Sequence, residues 1–134
     1  SFYHARMPLL TDRGFAEDVA AAERVIKRAC GVDPRPWFRC PFGAGADDAR
    51  TAQLLAEGGY RHVGWNVTGF DWLASRSGAR LARDTVARVQ DAGNGAIVLL
   101  HTWPRSTALG LPQIIDTLGA NGARFVGVDE LLDA

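Results

Sequence analysis

The residues that most restrict the fold of this chain form an unbroken apolar run, Ala-Ile-Val-Leu-Leu, at positions 96–100. A strand without alternation of apolar and polar residues is typical of a parallel sheet covered on both faces. Segments with the apolar spacing of helices lie before and after this run, and such alternation indicates helices packed on a parallel sheet. The sequence therefore predicts an α/β fold with parallel strands.

The other elements are predicted from capping residues and apolar periodicity. Strands are expected at 37–40, 60–67, 96–100 and 124–128. The predicted helices are one capped by Thr11 or Asp12 and ended by Gly31, one capped by Asp47 that runs to about Glu57, one capped by Ser77, one over 109–118 with Pro112 in its first turn, and a short one capped by Asp129. With 134 residues and no internal repeat, residues 1–134 are expected to form a single domain.

Charge and composition narrow the range of partners. Lys+Arg and Asp+Glu both number 15, so the net charge is zero, which argues against nucleic acid or an anionic membrane surface. No apolar stretch approaches the roughly 20 residues that a membrane span requires. The two cysteines, Cys30 and Cys40, could form a disulfide, although two buried free thiols are the favoured interpretation.

Three polar residues lie at or just after predicted strand ends, where parallel α/β folds carry their chemistry. They are Arg39, Asp71 and His101. A histidine at the mouth of a buried strand is a candidate general acid or base, and the alternative is a histidine that only closes the strand end by hydrogen bonding. His62 falls inside a strand and is interpreted as structural or exposed. His4 lies in an aromatic segment and would need partners to bind a metal.

The segment Arg39-Cys40-Pro41-Phe42-Gly43 is predicted to be a strand end followed by a tight turn. Backbone N–H groups after such a turn can point at one anionic atom, as in an oxyanion hole, and Arg39 could orient a carboxylate. A plain loop with a surface arginine is the alternative. Trp72 and Trp103 could each form an aromatic wall for a sugar ring, or could be core residues.

The order and spacing of these segments resemble the NodB-homology polysaccharide deacetylases, carbohydrate esterase family four. Residues 1–4 resemble the end of the second family motif, 39–43 the third, 68–72 the fourth and 99–101 the fifth. The resemblance implies a distorted (β/α) barrel, usually of seven strands. About four strands are expected here, so the chain is interpreted as the C-terminal part of the catalytic domain, without the first motif and its two aspartates.

The resemblance also implies a reaction, which is metal-dependent hydrolysis of acetyl groups on a polysaccharide or oligosaccharide of N-acetylglucosamine type or on acetylxylan. The metal is expected to be divalent, with zinc favoured, and the chain alone is expected to be inactive. The resemblance implies that His4 binds the metal, that Arg39 orients the catalytic aspartate and that His101 is the general acid. It implies that the turn formed by Pro41, Phe42 and Gly43 holds the oxyanion and that Leu99 lines the acetyl pocket. Asp71 and Trp72 are the retained residues of the fourth motif, and Trp103 is expected to contact the substrate as an aromatic wall.

The fourth motif departs from the family pattern at Thr68, where the family usually has an aspartate that tunes the acid histidine. A threonine hydroxyl cannot stabilise an imidazolium by charge, so weaker support of a protonated His101 is expected unless another carboxylate takes its place. This departure leaves open a catalytically impaired, carbohydrate-binding relative, or a regulatory or structural domain that matches the motifs by chance. By resemblance the protein is expected to be secreted or on the surface of a bacterium, with the N-terminal segment of the same protein as its partner.

Overall fold

The structure is a computed structural model that describes residues 1–132. The chain divides into two compact units, the first from Ser1 to Gly64 and the second from Trp65 onward. Each unit contains one pair of parallel strands together with helices. The alternation of helices and parallel strands confirms the predicted α/β class.

The first unit is built around one long helix and one short one. Its elements are a 3₁₀ turn at Met7–Leu9, α1 at Asp12–Cys30, β1 at Trp37–Phe38, a second 3₁₀ turn at Pro41–Gly43, α2 at Ala49–Glu57 and β2 at Arg61–His62. Strands β1 and β2 are parallel, with Trp37 opposite Arg61. The core of this unit is formed by buried residues in or next to these elements, which are Met7, Phe15, Val19, Phe38, Cys40, Leu55 and Tyr60.

Helix α1 begins and ends as its sequence predicts. The Thr11 hydroxyl accepts a hydrogen bond from the Gly14 N–H at 3.1 Å, which satisfies one of the free donors of the first turn. At the other end, Gly31 adopts the left-handed conformation with φ of 71°, where a side chain would be strained. These two caps define the ends of α1, and Phe15 and Val19 lie on its buried face.

The second unit places two helices against a second strand pair. Its elements are β3 at Val67–Thr68, α3 at Gly78–Ala92, β4 at Val98–Leu99, α4 at Arg105–Ala120 and α5 at Val128–Leu132. Helices α3 and α4 approach closely because each has a glycine at the contact, Gly78 in α3 and Gly110 in α4. A Cβ on Gly110 would lie 2.7 Å from the Gly78 carbonyl oxygen. The core of this unit is formed by Leu81, Ala82, Val86, Ile114 and Leu118.

Two strand predictions are wrong in detail. The segment 60–67 is not one strand, because β2 ends at His62 and β3 begins at Val67, and the two strands belong to different pairs. The segment 124–128 is not a strand in the described part of the chain, and α5 begins at Val128. The run 96–100 does hold β4, but Val98 and Leu99 are only partly buried.

The helix predictions are wrong at three starts. Helix α2 is capped by Asp48, not Asp47, since the Asp48 carboxylate accepts from the Thr51 N–H at 2.7 Å. Helix α4 begins at Arg105 rather than near residue 109, so Pro112 lies inside the helix. Asp129 lies within the first turn of α5 and does not precede it.

The remaining predictions concern the two cysteines and membrane-spanning segments. Cys30 and Cys40 are both free, but only Cys40 is buried, so the prediction of two buried thiols is wrong for Cys30. Burial raises the pKa of the Cys40 thiol above its ordinary value. Among residues 1–132, no helix is both long enough and apolar enough to cross a membrane.

Candidate functional site

The second unit brings together the two strand ends that carry Asp71 and His101. Strands β3 and β4 pair in parallel with Thr68 opposite Leu99, so the residues that follow them leave the same edge. The Gly69 N–H donates to the Leu99 carbonyl at 3.1 Å. A Cβ on Gly69 would lie 2.4 Å from Leu100 Cδ2, so glycine permits this close approach.

The Asp71 carboxylate is completely buried and accepts three hydrogen bonds. Oδ2 accepts from the His101 backbone N–H at 2.6 Å and from the Thr107 hydroxyl at 2.7 Å. Oδ1 lies 2.9 Å from His101 Nδ1. The Ser106 hydroxyl donates to the backbone carbonyl of Asp71 at 2.9 Å. Asp71 is therefore fixed at both its carboxylate and its main chain.

These contacts decide the charge of Asp71 and the role of each imidazole nitrogen. Burial alone would raise the pKa of Asp71, but hydrogen bonds from Thr107 and from the His101 backbone and ring outweigh burial and lower it. An ionised carboxylate only accepts hydrogen bonds, so His101 Nδ1 must be the donor. The second ring nitrogen, Nε2, is thus the one left to exchange a proton.

Aromatic rings flank the imidazole. The His101 ring lies edge-on to Trp72 at 5.3 Å between centroids and tilted against Trp103 at 5.9 Å. Phe70 contacts Trp72 at 5.4 Å. Trp72 is 40% exposed and Trp103 is 69% exposed, so neither is a core residue. The arrangement favours the aromatic-wall interpretation over the core alternative for both indoles.

The structure meets the exception stated for Thr68, because another carboxylate supports His101. His101 does not lack a carboxylate, because Asp71 provides one in direct contact with Nδ1. The Thr68 hydroxyl instead accepts a hydrogen bond from Trp65 Nε1 at 2.9 Å. The carboxylate in contact with His101 thus lies three residues after Thr68 in the chain. Leu99, the neighbour of Thr68 across the strand pair, is partly buried at the end of β4.

The first unit contains the tight turn that follows β1. Phe42 adopts the left-handed conformation, with φ of 58° and ψ of 11°, and its side chain is 61% exposed. The turn is closed by the Gly43 and Ala44 N–H groups, which donate to the Cys40 and Pro41 carbonyls at 3.0 Å each. The Phe42 N–H takes no part in these two bonds. Pro41 is buried beneath the turn.

Two side chains attach this turn to β2. The Arg39 guanidinium donates to the Val63 carbonyl at 3.3 Å and to the Gly64 carbonyl at 3.1 Å, and burial lowers its pKa. The His62 ring accepts from the Cys40 N–H through Nδ1 at 3.4 Å. Burial, together with the nearby charge of Arg39, lowers the pKa of His62. These bonds support the structural interpretation of His62.

His4 packs directly on the turn. Its ring lies edge-on to the Phe42 ring at 4.6 Å, while the Arg6 guanidinium stacks over Phe42 at 4.9 Å. His4 also has a positive φ of 53°. Within the first unit, the histidine of the predicted second motif therefore contacts the phenylalanine of the predicted third motif.

A metal requires more donors than His4. Within the described residues, no three or more His, Cys, Asp and Glu side chains are grouped so that they could hold a metal ion. Catalytic zinc sites use three protein ligands, so the donors described here do not complete such a site.

Sequence reasoning missed Ser106 and Thr107. Both are buried in the first turn of α4 and both donate to Asp71. The predicted start of α4 at residue 109 lies four residues too late, so the prediction leaves both residues outside the helix. A correct helix start would have placed two hydroxyl residues in the first turn, close in sequence to His101, and that signal could have revealed them.

The fold and this site define an α/β protein with a buried Asp–His pair at the ends of parallel strands. Known proteins are similar to this chain in sequence and in fold. No family model matches the chain. It is 27% identical over 135 residues to the peptidoglycan-N-acetylmuramic acid deacetylase PdaA of Bacillus subtilis, covering 98% of this chain and 49% of that protein. The chain therefore spans about half the length of this curated relative.

Solved structures are also similar to this chain in fold. A family 4 carbohydrate esterase from Streptomyces lividans superimposes with a TM-score of 0.79 at 30% identity, over 91% of this chain and 59% of that one. A CE4 family pseudoenzyme from Bacillus anthracis superimposes with a TM-score of 0.81 at 25% identity, over 97% of this chain and 43% of that chain. The resemblance inferred from the motifs is confirmed: the chain is similar in sequence to a peptidoglycan deacetylase and in fold to members of carbohydrate esterase family four.

Proposed function

We propose that the protein containing this chain hydrolyses acetyl groups from an acetylated polysaccharide or oligosaccharide. The observation that carries the proposal is the His101 ring, which is fixed through Nδ1 by buried Asp71 and flanked by Trp72 and Trp103. The proposal is also supported by the relatives, one of which is named a peptidoglycan deacetylase and another a carbohydrate esterase. N-acetylglucosamine-type polymers and acetylxylan are both candidate substrates.

The proposed role of His101 is to protonate the leaving group. Addition of water to the acetyl carbonyl gives a tetrahedral adduct, whose bond from carbon to the sugar nitrogen or oxygen then breaks. The electron pair of that bond stays on the sugar atom, which takes a proton from His101 Nε2, and acetate is released. Asp71 supports this step because its ionised carboxylate holds Nδ1–H and stabilises the imidazolium from which the proton leaves.

The turn at residues 41–43 has a proposed role in stabilising the oxyanion of the adduct. The Phe42 N–H is not used to close the turn, and a preorganised backbone donor of this kind is the usual component of an oxyanion hole. Arg39 is proposed to orient the catalytic aspartate of the family. Leu99 is proposed to line the acetyl pocket, and Trp72 and Trp103 to contact the sugar.

A divalent metal, with zinc favoured, is proposed with His4 as one ligand. When bound, such an ion polarises the acetyl carbonyl and acidifies a water molecule. The described residues supply no complete donor set, so the other ligands and the base that deprotonates water are proposed to belong to the N-terminal segment of the same protein. Residues 1–134 are proposed to be the C-terminal part of one NodB-type barrel domain that acts outside the cell or at its surface.

The test is acetate release by the full-length protein and by its His101→Ala variant. N-acetylated chito-oligosaccharide, acetylxylan and peptidoglycan are the substrates, each with and without a chelator. We expect His101→Ala to lower kcat by about a hundredfold or more, the scale of general acid catalysis, with folding unchanged by circular dichroism. Equal turnover in the two proteins would remove His101 from this role.

A carbohydrate-binding relative without turnover is the second candidate. It is favoured by the similarity to a CE4 family pseudoenzyme and by the incomplete donor set around His4. Calorimetric binding of the three substrates, without acetate release in the presence of added zinc, would identify this alternative. Loss of that binding on Trp72→Ala would then assign the aromatic wall to recognition.

A further inference from the structure

We propose that Thr107 is a positioning residue, which fixes the Asp71 carboxylate so that Oδ1 is presented to His101 Nδ1. Thr107 is the third residue of α4 and is buried, with its hydroxyl 2.7 Å from Asp71 Oδ2. It is too deeply buried to serve as a substrate contact. The inference rests on the proposed function for its kinetic consequence, but the geometric claim can be measured without activity.

Only part of the hydrogen bonding to the Asp71 carboxylate is independent of His101. Two of the three donors to the Asp71 carboxylate belong to His101 itself, its backbone N–H and its ring Nδ1. In the described part of the chain, Thr107 is the remaining side-chain donor to that carboxylate. Without its hydroxyl, the orientation of the carboxylate would depend entirely on the residue that the carboxylate has to orient.

The two carboxylate oxygens of Asp71 accept hydrogen bonds from different groups. Oδ2 accepts two short bonds, from His101 N–H and Thr107 Oγ1, so its lone pairs are occupied and the carboxylate plane is fixed. Oδ1 is thereby reserved for the imidazole. Ser106 acts on a different part of Asp71, because its hydroxyl holds the backbone carbonyl at 2.9 Å. Thr107 therefore controls the carboxylate, and Ser106 controls the main chain that carries it.

The Thr107 hydroxyl does not cap its own helix. Residues near a helix start commonly use a side-chain oxygen to accept from free N–H groups, and β-branched threonine has no advantage for helix formation. In α4 the Thr107 hydroxyl donates to Asp71, and the N-cap residue Pro104 makes no side-chain capping bond. The position is explained by Asp71 rather than by helix stability.

The experiment compares three variants of the full-length protein. Thr107→Val keeps the volume and branching but removes the donor, and Thr107→Ser keeps the donor. Thr85→Val is the matched control, because Thr85 is fully buried and its hydroxyl has no hydrogen-bond partner in the described part of the chain. Two quantities are measured, kcat and KM for acetate release, and the His101 Nδ1 proton resonance by NMR.

We expect Thr107→Val to lower kcat about tenfold with KM unchanged, on the scale of one hydrogen bond to a charged group. Its Nδ1 proton resonance should weaken or shift, Thr107→Ser should restore both quantities, and Thr85→Val should match the wild type. Wild-type kcat and Nδ1 resonance in Thr107→Val would overturn the inference, as would equal losses in Thr107→Ser.

Two further results separate failure of this inference from failure of the proposed function. If the wild-type protein releases no acetate, the deacetylase proposal fails, whereas the Nδ1 resonance of the variants still decides the role of Thr107. If Thr107→Val does not fold, Thr107→Ser is compared with the wild type. A wild-type His101 Nδ1 resonance in Thr107→Ser supports the inference. Loss of that resonance in Thr107→Ser contradicts it.

Discussion

Asp71→Asn is the substitution whose effect follows most directly from the structure. Three donors converge on the buried Asp71 carboxylate, at 2.6, 2.7 and 2.9 Å. An asparagine side chain has one acceptor oxygen, and its amide nitrogen donates. At least one of the three donors would therefore face another donor, rotate away, or in the case of the imidazole change its tautomer.

The magnitude follows from the bond that is lost. A hydrogen bond to a charged group contributes roughly 1.5–3 kcal/mol, and a buried donor left without an acceptor carries the full desolvation penalty. The Thr107 hydroxyl can rotate and accept from the new amide, which recovers part of this energy. We expect Asp71→Asn to lower the free energy of unfolding by about 2 kcal/mol at neutral pH.

The effect has a defined pH dependence. The folded-state pKa of Asp71 is lowered, so its contribution to stability is complete above the ordinary aspartate value of 3.8 and is lost as the pH falls through the lower folded value. Asparagine does not titrate. The difference in stability between the wild type and Asp71→Asn should therefore persist from neutral pH down to about 4 and shrink only in stronger acid.

Urea denaturation followed by circular dichroism, at neutral pH and again well below pH 3.8, measures both quantities. Asp116→Asn is the control, since Asp116 lies on the exposed face of α4 and should change stability by less than about 0.5 kcal/mol. Equal stability of Asp71→Asn and wild type at neutral pH would refute the reasoning. A difference that does not shrink in acid would show that the charge of Asp71 is not its source.

Three other predictions concern local geometry, and each is measured by chemical denaturation. Asp48→Ala should cost about 1 kcal/mol because it removes the cap of α2, whereas Asp47→Ala should be near neutral; the opposite order would contradict the assigned cap. Phe42→Gly should be more stable than Phe42→Ala by roughly 1 kcal/mol, since only glycine adopts a φ of 58° without strain, and an advantage for alanine would count against that conformation. Gly69→Ala should destabilise by about 1–3 kcal/mol because the new Cβ overlaps Leu100 Cδ2, and no loss would show that Leu100 moves freely.

The sequence predicted best those elements whose signals are local. Helix α1 has a hydroxyl cap at Thr11 and a left-handed glycine at Gly31, and both predicted boundaries are confirmed. Strand pairing is not local, and β2 and β3 consist of two residues each. The composition of 60–67 could not show that the segment divides between two strand pairs, because register depends on partners far away in the chain.

The same distinction explains which part of the site was predicted. His101 and Asp71 were identified because polar residues after apolar strands indicate chemistry at strand ends. Their hydrogen bond was not predicted, since the family resemblance assigns the histidine's carboxylate to the position that Thr68 occupies in this chain. The contact depends on the β3–β4 register and on the absent side chain of Gly69, both of which are properties of three-dimensional packing.

Backbone conformation adds an argument for the site that side-chain identity cannot give. Among the described residues, those with positive φ other than glycine are His4, Phe42 and Phe70. Bulky residues adopt this conformation at a cost of about 1–3 kcal/mol each, and it persists only where the surroundings determine it. His4 and Phe42 contact each other, and Phe70 precedes Asp71 and packs on Trp72. Positive φ is uncommon for any residue other than glycine, and phenylalanine is not among the types enriched there. Its occurrence at three of the four predicted motifs therefore favours a functional constraint over a chance match.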